Sequence, residues 1–146
     1  FFMKSYQELF NGTLWGVMQW AQWDEMRTRI VNAGEWYVYA LGHDVPETTT
    51  SGTRLSAILE EMDALLRRDH REKYLGIVYA DDLASPTLIK VYDPNNLGSS
   101  CGSSGRVILP GWVLSRIPPE PMVSQSPVPH SRLRWWQELK DRLHSH

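Results

Sequence analysis

Between Leu55 and Leu66 the apolar positions fall at helical spacing, with Leu55, Ile58, Leu59, Met62, Leu65 and Leu66 forming one continuous stripe. The polar positions are ordered by charge. Glu60, Glu61 and Asp63 precede Arg67, Arg68 and Arg71, which suits the helix dipole and makes Asp63 and Arg67 an i, i+4 pair. Ser51 or Thr53 is placed to cap the start, and the charged face reads as simply solvated. A second helix is written by Trp23, Met26, Ile30 and Val31, with Asp24 and Glu25 in its first turn and Asn32-Ala33-Gly34 as its stop. The stretch Thr13 to Trp20 fits helix or strand; we take it as helix.

Elsewhere the period drops to two. From Glu35 to Leu41, Trp36, Val38 and Ala40 fall on one face and Tyr37, Tyr39 and Leu41 on the other, as in a strand buried on both sides and central in its sheet. Leu75 to Ala80 and Leu88 to Tyr92 are β-rich runs joined by the polar segment Asp81 to Thr87, a hairpin that sets Ala80 opposite Leu88. Trp112 to Ile117 reads as a further strand after the turn-rich stretch 93–105. Without repeated strand-helix alternation, the expected class is α+β: a small, mainly antiparallel sheet of about four strands covered by two helices, over residues 1–117.

Pro118, Pro119, Pro121, Pro127 and Pro129 then predict an extended spacer over 118–130. After it, residues 131–146 form an amphipathic helix capped by Ser131, with Trp136, Leu139 and Leu143 on one side and Leu133 and Trp135 flanking them. A helix of about 15 residues is marginal alone in water, so it must dock. Its own domain, a partner protein or second copy, and a membrane surface are the possible seats, the membrane being the least favoured.

Composition narrows the function classes. A chain of 146 residues, 42% hydrophobic and 22% charged, suits one folded domain with appendages. A net charge of -2, with basic residues interleaved among acidic ones, offers no footprint for nucleic acid. No window approaches the ~20 apolar residues of a membrane span, and Met3 to Glu8 is too polar for a signal-peptide core. The single Cys101 cannot form an intrachain disulfide, which points to the cytoplasm. Most of the seven Trp and six Tyr read as core filling.

The hairpin separates Asp81 from Asp93 by about 20 Å, which excludes a carboxylate dyad. It also brings the end of the long helix, with His70, to the edge where Asp93 and the Gly/Ser/Cys loop emerge. Cys101, His70 and Asp93 thus form a candidate thiol constellation, and Gly98, Gly102 and Gly105 could turn backbone N–H groups toward an oxyanion or phosphate. The same residues also read as an inert small hydrophobe, a helix-end partner and a turn opener, and this structural reading is preferred. The loop lacks Walker spacing and the Lys-Ser/Thr pair, and His43, Asp44 and Glu47 lack further ligands, so no cofactor or metal is expected. The expectation is a non-enzymatic cytoplasmic accessory protein that binds a protein partner or self-associates through Leu133, Trp135, Trp136, Leu139 and Leu143. The alternative is a small thiol-dependent enzyme or anion-binding protein built around Cys101.

Overall fold

The computed structural model describes residues 4–97, 108–122, 128 and 130–144. Its alternating segments are β1 (Trp15–Gly16), β2 (Tyr37–Ala40), β3 (Val78–Ala80), β4 (Leu88–Val91) and β5 (Trp112–Ser115). They pair antiparallel throughout in the order β1-β3-β4-β5-β2. The helices are α1 (Tyr6–Phe10), α2 (Trp20–Ala33), α3 (Gly52–Asp69) and α4 (His130–His144). The class is α+β, as the patterning predicts.

Three features correct the sequence reading. Trp15–Gly16 is an edge strand, not helix: Trp15 pairs with Ala80, Gly16 with Tyr79, and Val17 N–H donates to the Val78 carbonyl at 2.8 Å. Helix starts only at Trp20, where the Gln22 side chain accepts from Gln19 N–H at 2.9 Å and from Met18 N–H at 3.2 Å. Ladder pairing and this local cap divide a stretch whose apolar density alone is ambiguous. Second, β2 lies at the sheet edge. It looks central because both faces are covered and because Trp36 and Thr50 exchange backbone hydrogen bonds, 3.0 and 2.8 Å, along its outer flank. Third, the hairpin register is shifted by one, with Ala80 opposite Ile89, and Asp81 accepts from Thr87 N–H, Leu88 N–H and the Thr87 hydroxyl within the connection.

One sheet face meets α2 and α3 in the main core, where Trp23, Trp36, Ile30, Leu55, Met62 and Leu66 are fully buried. The other face meets α1 through Tyr6, Leu9 and Phe10, which pack with Tyr39, Leu41, Leu88 and Val113. The short α1 is held by a reciprocal cap in which Ser5 Oγ accepts from Glu8 N–H and Glu8 Oε1 from Ser5 N–H. The charged stripe of α3 does more than meet water. Arg67 reaches Asp63 at 2.9 Å and Asp24 of α2 at 2.7 Å, while Asp63 accepts from Trp23 Nε1 at 2.9 Å, so the stripe fastens α2 to α3. Among the described residues no helix is long and apolar enough to cross a membrane.

Candidate functional site: the seat of the C-terminal helix

After β5 the chain crosses the outer sheet face and is fixed at Met122, whose N–H donates to Tyr39 Oη at 3.0 Å. Residue 130 then opens α4, which lies against the main core. Trp136 is 4% exposed and Leu139 3%, and both belong to the same buried cluster as Trp36, Ile58 and Trp112. Trp135 is partly buried and meets Trp112 edge to face, with ring centroids 5.9 Å apart. Leu143 is partly buried against the same cluster.

Leu133 explains a glycine. A Cβ on Gly42 would stand 3.0 Å from Leu133 Cδ2 and 3.0 Å from Val128 Cγ2, and Gly42 has φ +96, a conformation L side chains rarely adopt. Gly42 thus turns the chain just beyond β2 and leaves room for Leu133 and Val128.

The polar end of the seat is an arginine between two carboxylates. Arg132 grips Asp93 with Nε at 2.7 Å and Nη2 at 3.1 Å, and the same Nη2 reaches Asp69 at 3.1 Å. Side-chain exposure is 11% for Arg132, 6% for Asp93 and 17% for Asp69, so the trio is largely out of water. Arg68 and then Arg132 hold the Asp69 carboxyl down at about 2 against burial. Asp93 also accepts from Asn95 N–H at 2.9 Å, which opens the single helical turn Pro94–Asn96. Sequence reasoning passed over Arg132: one arginine among several on an amphipathic helix carries no signal until the fold brings Asp69 and Asp93 beneath it.

The candidate thiol residues are placed as follows. The end of α3 does reach the turn after Asp93, with Asn95 Nδ2 donating to Asp69 at 3.2 Å. His70 Nε2 lies 2.7 Å from the Leu75 carbonyl and 3.3 Å from that of Tyr74, and it closes the α3 exit loop. Asp93 is engaged by Arg132, while Cys101 and Gly98, Gly102 and Gly105 lie outside the described residues. Among the described residues no three His, Cys, Asp or Glu side chains are placed to hold a metal.

What this arrangement does chemically is seat a helix. Among the described residues α4 is joined to the domain by side chains, with no backbone hydrogen bond between them. Comparison with protein families, with curated proteins and with solved structures finds no match for this chain.

Proposed function

We propose that this is a non-enzymatic, cytoplasmic accessory protein that binds a protein partner or a second copy of itself by exchanging α4. The observation that carries the reading is the seat: an apolar trough closed by Trp136 and Leu139, ion pairs made by Arg132 and Arg142, and, among the described residues, no backbone hydrogen bond to break. An equivalent helix from another chain could fill the same seat with the sheet's hydrogen-bond ladder left intact. In an exchanged dimer Arg132 of one copy would meet Asp69 and Asp93 of the other, so every native contact is remade between chains. Seven residues, 123–129, separate Met122 from α4, a reach of up to about 25 Å when extended. The single Cys101 supports a reducing compartment.

Light-scattering mass over a wide range of concentrations tests this. Exchange between copies predicts a species at twice 16.9 kDa that grows with concentration and persists on dilution, because α4 must leave its seat before the dimer can revert. A mass fixed at 16.9 kDa, with nothing retained from a lysate of the source organism, counts against the reading.

A further inference from the structure

His43 stands in the turn after β2, where its N–H donates to the Ala40 carbonyl at 3.1 Å. The residue lines two cavities, and α4 walls both: Arg132, Leu133 and Trp136 belong to one, and Trp136, Lys140 and Leu143 to the other. In this place beneath the helix, His43 Nε2 is buried and has no hydrogen-bond partner among the described residues. A neutral imidazole fits such a position, because its single proton can sit on Nδ1 and leave only a lone pair at Nε2. A protonated one does not, because both nitrogens then carry N–H and a charged donor is left with neither water nor an acceptor.

The charged groups around the ring do not relieve this cost. From α4 come Lys140 and Arg132, from the segment of His43 itself Asp44 and Glu47, from α3 Arg54, and from the turn after β4 Asp93. Asp93 is engaged by Arg132 at 2.7 Å, Asp44 and Glu47 are exposed to water, and none of the three carboxylates accepts from His43 Nε2. Burial first and the Lys140 charge second hold the imidazole below its ordinary 6.5, against a smaller opposite effect of Asp44.

We propose that protonation of His43 releases α4, so that mild acid turns the closed chain into the form that exchanges its helix. Such a switch rests on the reading that α4 leaves its seat, and adds the condition that drives it out. Once α4 has left, His43 loses its cover and titrates as an imidazole in water, so opening takes up a proton. Closure is therefore at its strongest above about 6.5 and weakens as pH falls below that value. The Asp69 carboxyl, held at about 2, keeps its charge throughout this range, so its pairing with Arg132 is not what titrates.

The test follows amide hydrogen exchange of the full chain at pH 7, 6 and 5, with rates corrected for the intrinsic pH dependence. Amides of α4 should exchange faster than those of β4 and β5 at every pH, because the helix leaves alone. Their protection should fall about threefold or more between pH 7 and pH 5, and His43→Gln should remove that fall. His130 and His144 of α4 remain in the variant and control for other imidazoles. Equal α4 protection at pH 7 and pH 5, or the same fall in a folded His43→Gln chain, overturns the switch and leaves exchange of α4 standing. Amides of α4 that exchange no faster than the sheet at any pH overturn both. Where the variant does not fold, the ring titration of wild-type His43 decides: a midpoint below 6.5 supports the switch, and one at or above 6.5 overturns it.

Discussion

Replacing Trp136 and Leu139 together by alanine is expected to lower the unfolding free energy by about 5 kcal/mol or more, because each is a large-to-small change in a closed core. For a chain of this size that corresponds to a fall in Tm of roughly 15 °C or more. Chemical denaturation and a thermal scan of the double variant measure it. The sequence alone supports a different expectation, since a helix presented to a partner would leave Tm almost unchanged when its apolar face is removed. The structure decides the expectation by burying both side chains beside Trp36 and Trp112. A Tm within a few degrees of wild type would mean that α4 contributes nothing to the resting fold.

Arg132→Met is expected to cost about 3 kcal/mol at neutral pH, although methionine fills much of the same space. The cost comes mainly from leaving Asp93 dehydrated without its counter-charge, since Asp69 keeps Arg68, and removing one partner of a buried ion pair is more damaging than never having built it. The pH dependence follows from the direction of the Asp69 shift. Its carboxyl is held at about 2 in the folded protein against an ordinary 3.8, so the stability it contributes is fully present above 3.8 and is lost as pH falls toward 2. Arg68 supplies the largest part of that shift and remains in the variant, so only the Arg132 share is lost, and the difference between wild type and Arg132→Met should be greatest near pH 7 and shrink below about pH 4. Denaturant curves at several pH values provide the check, and a difference that stays constant from pH 7 to pH 3 would show that the clasp acts by packing and not by charge.

The periodic elements were legible because burial writes itself into spacing. The α3 stripe is all core, and the alternation at Glu35 to Leu41 correctly marks a strand covered on both faces. Pattern does not report which edge of a strand is paired, so β2 was read as central when Thr50 shields its flank. The Trp15–Gly16 strand was hidden because its partners Ala80 and Tyr79 are remote in sequence and the segment is too short to show alternation. The α1 helix did leave a signal, the Ser5-x-x-Glu8 capping box, although it covers only a short run. At the site, the aromatic and aliphatic residues of α4 were identified from amphipathicity, but their seat was not. Arg132, Asp69 and Asp93 come from three distant parts of the chain, and only the docking of α4 brings the arginine to the two carboxylates.

The most direct measurement is the uptake of a labelled synthetic peptide, residues 128–146, by the full-length chain. Displacement of α4 predicts slow, saturable binding that is abolished when the peptide itself carries Trp136→Ala and Leu139→Ala, changes that leave the receiving domain intact. No uptake after prolonged incubation, including in denaturant just below the unfolding transition, would contradict the claim that α4 is an exchangeable element.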